Sequence, residues 1–268
     1  LRLFILYFHS GNERDYQILP EVLRWLHREK IIIVSALEIA NRLVAGTLAS
    51  LPPRCCALTF DDGMDLDFED VMHPVRGHQP AFATIMREFE EECARDSESV
   101  NIHATSFVIA SPLARAQIQE RELLGYPWMS DRWWRPAVAS GRFYLGNHSW
   151  DHVSQSVDTV KQRDQKKGDF AAIDNYDDAN AQIRKAREMI EMIAPNPGIS
   201  LFCYPYGHRN DYLVREYFPR HMDEHKTLAA FTCVAEPVTA DTNRWEIPRY
   251  GFEFAWRSIE DLAYITRG

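Results

Sequence analysis

The sequence has no run of Lys and Arg dense enough to create a positive field. Its 30 basic residues face 39 acidic ones, a net charge of -9. The densest basic group is Lys166-Lys167, with Lys161 and Arg163 nearby. This argues against a nucleic-acid partner, because phosphate binding needs positive charge. Long apolar runs are also missing, and none approaches the roughly 18 residues that cross a bilayer. Cysteine is sparse: the five are Cys55, Cys56, Cys93, Cys203 and Cys233. An odd count with two neighbours adjacent is no disulfide framework, and no pair has zinc-ribbon spacing. Cys55, Cys56, Cys203 and Cys233 sit in strand-like runs and read as buried thiols, which leans towards a reducing compartment. The chain opens on Leu1 rather than Met, so the lack of a signal-like segment says nothing about location. Repeats, low-complexity tracts and Pro/Ser-rich linkers are absent too. The 268 residues are therefore read as one domain, 1–268, a length common among α/β barrels.

What is present is an alternation. Leu3 to Phe8 is a short apolar run closed by His9-Ser10-Gly11, a buried strand and its loop. A helix is expected over Ile18 to Glu29, with Pro20 in its first turn. Ile31 to Val34 is a second strand, and Ser35 with Glu38 forms a capping box for the next helix. Further strands are expected at Cys55 to Phe60, His103 to Ala110, Phe143 to Leu145, Leu201 to Tyr204, Leu228 to Val234 and Trp245 to Ile247. Helices are expected at Trp133 to Ala139, Asp177 to Ile193 and Ser258 to Thr266. In the second of these, Ile183, Ala186, Met189, Ile190 and Ile193 share one face. Such alternation predicts an α/β fold with parallel strands.

Two motifs follow strands, where α/β folds carry their sites. Thr59-Phe60-Asp61-Asp62-Gly63 ends the third main strand. Adjacent carboxylates repel, and burying them needs a cation or donors. One could hold a metal while the other takes a proton; the plain alternative is a solvated turn. In Asn147-His148-Ser149-Trp150-Asp151-His152 the two histidines are four apart, so a helical turn would put both imidazoles on one face. Ser149 stands where zinc proteases of the His-Glu type have Glu. Two His and one carboxylate suit hydrolytic zinc and also non-haem iron(II) oxygenases. The second acid tips the balance towards hydrolysis, which needs a base.

These residues resemble the polysaccharide deacetylase (NodB-homology) family, carbohydrate esterase family 4. Thr59-Phe60-Asp61-Asp62-Gly63 is similar to its first motif and His148-Ser149-Trp150-Asp151-His152 to its second. Phe202-Cys203-Tyr204-Pro205-Tyr206-Gly207 is similar to its third. Ala104-Thr105-Ser106-Phe107-Val108 is similar to an Ala-Thr-Phe-Phe-Val strand between the first two motifs. Tyr7-Phe8-His9 is similar to the Tyr-His start of members acting on poly-N-acetylglucosamine. The resemblance implies a distorted (β/α) barrel of about seven parallel strands that deacetylates a glycan, N-acetyl groups before O-acetyl esters. It implies Asp61 as base, a divalent metal, zinc foremost, on Asp62, His148 and His152, and the Tyr206 backbone N–H at the oxyanion. The family tendency is extracytoplasmic.

Two departures stand out. The family's base-orienting Arg falls on Cys203, and Arg249 in Ile247-Pro248-Arg249 is the candidate replacement. The family's late Leu-x-His motif, which supplies a general acid, is absent; His208 and His9 are candidates by position. Asp241-Thr242-Asn243-Arg244-Trp245 loosely resembles an Asp-x-x-Asp-Trp motif in which Trp245 would wall the acetyl pocket. Trp128, Trp133, Trp134 and Trp150 could stack on sugar rings, although at most one or two should do so. The missing late His leaves room for a catalytically silent, glycan-binding member.

Overall fold

The computed structural model describes residues 1–161 and 168–267. Arg163, Lys166 and Lys167, from the densest basic group, lie outside the described residues. The strands are β1 (Arg2–Phe8), β2 (Ile32–Ile33), β3 (Arg54–Phe60), β4 (Val71–His73), β5 (Gly77–Gln79), β6 (Ala104–Val108), β7 (Phe143–Asn147), β8 (Leu201–Cys203), β9 (Ala229–Phe231) and β10 (Tyr250–Gly251). Seven form a parallel path in the order β10-β1-β3-β6-β7-β8-β9, and β2 adds to β3 from the side. β4 and β5 form a separate antiparallel hairpin.

The two ends of the path meet through the segment before β10. Ile247 N–H donates to Ala230 O at 2.9 Å, and Thr232 N–H to Ile247 O at 2.8 Å. Arg249 N–H then reaches Val234 O at 3.0 Å, before Tyr250 and Gly251 pair with Leu6 and Tyr7 of β1. The sheet is thus the distorted parallel barrel expected.

Side chains alternate across the barrel wall, as the period of a strand requires. Leu3, Ile5, Cys55, Ala57, Leu201, Ala229 and Phe231 share one cluster with Ile39 and Ala40 of helix Ala36–Val44. Their neighbours Phe4, Leu6, Cys56 and Leu58 pack against helices Glu13–Arg28 and Phe82–Arg95. Both faces are covered, which is why the strands read as unbroken apolar runs.

Several boundaries differ from expectation. The first helix begins at Glu13, because the Asn12 side chain accepts from Arg14 N–H and caps it there; Pro20 is therefore interior. Helices Phe82–Arg95 and Pro112–Glu122 had no counterpart in the expected pattern. Trp245 to Ile247 is not a strand, as Ile247 makes an isolated bridge to Phe231. The closing strand lies three residues further on, at Tyr250–Gly251. The helical region after 175 starts at Tyr176 and contains a π turn over Asn180–Arg184. Among the described residues no helix is long and apolar enough to cross a membrane.

Candidate active site

The barrel interior ends in a polar layer at the C-terminal end of the strands. Asp61 extends β3, its N–H donating to Phe8 O at 3.0 Å. The chain then turns through Asp62 and Gly63, both with positive φ (73° and 70°). Asp tolerates this region better than most residues, because its short side chain can bond locally. Gly63 is required twice: a Cβ there would also lie 2.6 Å from Val108 Cγ1.

Arg249 projects from the closing segment onto Asp61 and is wholly buried. Nη1 and Nη2 donate to the two carboxylate oxygens at 2.8 and 2.7 Å. Nη1 also donates to Thr59 Oγ1 at 2.9 Å, Nε to Thr232 O at 3.1 Å, and Nη2 to Cys203 Sγ at 2.9 Å. All five N–H groups of the fork are thereby used. Burial alone would raise the Asp61 pKa, but the guanidinium overcomes it and holds the carboxyl well below its usual range. Asp61 is therefore an anion with one fixed orientation.

The histidine loop is not a helical turn. It follows β7 with positive φ at Ser149, His152 and Val153. Asn147 Oδ1 accepts from Ser149 N–H, and Ser149 Oγ accepts from His152 N–H, each at 2.9 Å. Asn147 Nδ2 donates to Ile183 O, a carbonyl in the π turn. Local side-chain bonds thus replace helical ones, and they still bring the imidazole centroids to 4.8 Å.

His148 Nδ1 lies 2.9 Å from Cys203 O. A carbonyl can only accept, so Nδ1 carries the proton and Nε2 presents a lone pair. That Nε2 is 3.6 Å from Asp62 Oδ1, and His152 Nε2 is 3.5 Å from the same oxygen. Burial lowers the His152 pKa to about 4, so this ring is neutral at ordinary pH. Acceptors converging without a donor between them suit a cation. The ligand atoms of Asp62, His148 and His152 all lie within 4.8 Å of one another. Asp61, His148 and Cys203 converge as closely, but this set fits a metal poorly. Arg249 already occupies Asp61, and burial holds the Cys203 thiol protonated.

These groups open into a cavity of about 480 Å³. Tyr7, His9, Cys233 and Phe254 line the end next to β9, β10 and β1, and Met64, Ile109, Ile118, Leu123 and Met129, which follow β3 and β6, line the other. Tyr206 forms part of the wall, its ring 4.4 Å from that of His152 and its backbone left-handed at φ 59°. His208 does not line the cavity; its Nδ1 lies 3.1 Å from Asp169 Oδ1 on the surface. His9 does line it, with its N–H donating to buried Asp15 at 2.6 Å.

The tryptophans sort themselves by burial. Trp133 and Trp134 are wholly enclosed and cannot meet a sugar. Trp245, expected to wall an acetyl pocket, instead stacks on Phe218 at 5.1 Å inside a core cluster. Its carbonyl accepts from Tyr204 Oη, which ties it to the core and away from the cavity. Trp150 lies under Lys185 Nζ at 3.6 Å. Trp128 stays partly exposed, stacked on Tyr126 at 4.6 Å.

The polysaccharide deacetylase family model matches residues 49–218. The chain belongs to this family. The matched span holds the acid pair, the histidine loop and Tyr206, while His9 and Arg249 fall outside it. No curated protein matches the deacetylase chain by sequence. Among solved structures it is similar to the Streptococcus pyogenes deacetylase PplD in complex with acetate, at 14% identity and TM-score 0.65, covering 100% of this chain and 99% of that one. It is similar to IcaB from Ammonifex degensii at 17% identity and TM-score 0.60, covering 99% and 97%. It is also similar to the BpsB deacetylase domain from Bordetella bronchiseptica, at 14% and 0.53, covering 93% and 95%. At such identities the likeness is one of fold.

Beneath the acid pair lies another buried carboxyl. Asp67 Oδ2 accepts from Ser106 Oγ at 2.5 Å in a site closed to solvent. Burial, aided by the charges of Asp62 and Asp61, pushes its pKa up to about 8. The folded protein therefore keeps a proton that the unfolded chain releases above the usual carboxylate range. Stability from this group is full at low pH and is lost as pH rises towards 8, at up to about 1.4 kcal/mol per pH unit. Asp67→Asn, which is neutral at every pH, should raise the melting temperature at pH 8 and leave it little changed at pH 4. Thermal unfolding across that range checks this, and equal shifts at both ends would refute it.

Proposed function

We propose that this chain is a metal-dependent hydrolase that removes acetyl groups, N-acetyl in preference, from a polysaccharide containing N-acetylglucosamine. The observation that carries the reading is the convergence of Asp62, His148 and His152 beside an Asp61 fixed by Arg249. Asp62, His148 and His152 would hold a divalent cation, zinc foremost by the family resemblance. The ion would supply Lewis acidity towards the acetyl carbonyl and towards water.

The chain's own groups do the rest. Asp61 takes the proton of the attacking water, and its bidentate contact with Arg249 aims one carboxylate edge at that task. The Tyr206 N–H donates to the oxyanion that forms on the acetyl carbon. The departing nitrogen needs a proton, and this reading gives that role to His9, which lines the cavity while His208 does not. Exposed Phe254, stacked on Tyr7 at 6.2 Å, offers an apolar face to a sugar ring at the mouth.

Purified protein should carry a stoichiometric divalent metal and release acetate faster from N-acetylglucosamine oligomers than from acetyl-xylan. Faster release from acetyl-xylan would move the reading to an O-acetyl esterase. Glycan binding without acetate release would make the chain a silent member.

A further inference from the structure

The two ends of the cavity differ in chemistry. At the Tyr7 and His9 end, Phe254 is 77% exposed, so that end meets solvent. At the other end Leu123 is half-buried and Glu122 is exposed, while Met64, Ile109, Ile118 and Met129 are each at most 6% exposed. These four aliphatic side chains come from the loops after β3 and β6, the helix Pro112–Glu122 and the segment that follows it. The polar groups of that wall, Ser154 and Glu122, bond to each other, Ser154 Oγ donating to Glu122 Oε1 at 2.9 Å.

A sugar chain must leave the site at both of its ends and brings hydroxyls that need partners. An acyl chain ends, and needs none. The aliphatic end therefore fits the acyl group and the aromatic end fits the glycan. It is also continuous with the ligand set, since Ile109 follows Val108, whose carbonyl accepts from His148 N–H at 3.0 Å.

We propose that the aliphatic end of the cavity is an acyl pocket longer than acetyl needs, and that the chain accepts N-acyl groups of about four to six carbons. This rests on the acyl-removing reading above. The reaction is the same hydrolysis: water oxygen bonds to the acyl carbon, the C–N bond breaks, nitrogen gains a proton, and a carboxylic acid and an amine result.

Binding of acetamide, butyramide and hexanamide tests the pocket without turnover, by calorimetry on the metal-loaded protein. Each added methylene should tighten binding roughly fourfold, from about 0.8 kcal/mol per buried methylene. Hexanamide should then bind on the order of a hundredfold tighter than acetamide. Ile118→Trp, which fills this end, should abolish the dependence on length. Equal affinity for the three amides in the parent protein would overturn the proposal, whatever the variant does. Amine release from N-acetyl, N-butyryl and N-hexanoyl glucosamine oligomers separates the two readings. Acetate release with the longer chains refused sinks the pocket and spares the deacetylase. Tighter binding of longer amides with no release from any oligomer keeps the pocket and sinks the hydrolase.

Discussion

Asp61→Asn is expected to lower turnover by roughly 10²- to 10⁴-fold, the usual contribution of a general base, with the metal retained. The amide keeps the size of the carboxylate but cannot take a proton from water. The three proposed metal-holding side chains are untouched. His148→Ala is the contrast, because it removes one of the three acceptors and should lose the ion together with activity. Metal content by mass spectrometry and acetate release on both variants give the comparison. An Asn variant that retains a tenth of parental turnover would remove Asp61 from the role of base.

Arg249→Met is expected to cost about 3–5 kcal/mol of stability, the range for breaking a buried ion pair from one side. The guanidinium is wholly enclosed and makes every hydrogen bond it can, and it is the largest of the influences that keep Asp61 ionised. The pH dependence should invert. In the parent the depressed Asp61 pKa adds stability above the usual carboxylate range, lost only as pH falls through the folded value. In the metal-free Met variant burial, the largest influence, is opposed only by His148 and His9 and raises that pKa, so the variant gains stability as pH falls and the carboxyl is neutralised. Melting temperatures at pH 5 and pH 8 should show the smaller deficit at pH 5. Adding Asp61→Asn should recover part of the loss. A variant that melts with the parent at pH 8 would show that the pair is not needed to hold the fold.

The parts legible in the sequence were those carried by local patterns. The strand runs, the acid pair and the histidine spacing are short segments whose residue types state their chemistry. Arg249 was a candidate only by its place after Ile247-Pro248, because its partner lies 188 residues away. The loop form of residues 148–152 was hidden, since nothing in Ser149 or His152 announces a left-handed backbone. The cavity wall was hidden for a different reason. Ile109, Ile118 and Met129 are ordinary apolar residues, and only the meeting of separate elements makes them a surface. Trp245 misled because a tryptophan beside a motif and a tryptophan in a core look alike in one dimension.

The segment 247–251 both joins the ends of the barrel and delivers Arg249. It leaves a ribosome after the other nine strands. Until it arrives, Asp61 sits in a half-made barrel without its counter-charge, and the sheet keeps two unpaired edges. Completion of the fold and readiness of the carboxylate thus become one event in time. A growing chain of this design has no charge-paired Asp61 until this segment is made.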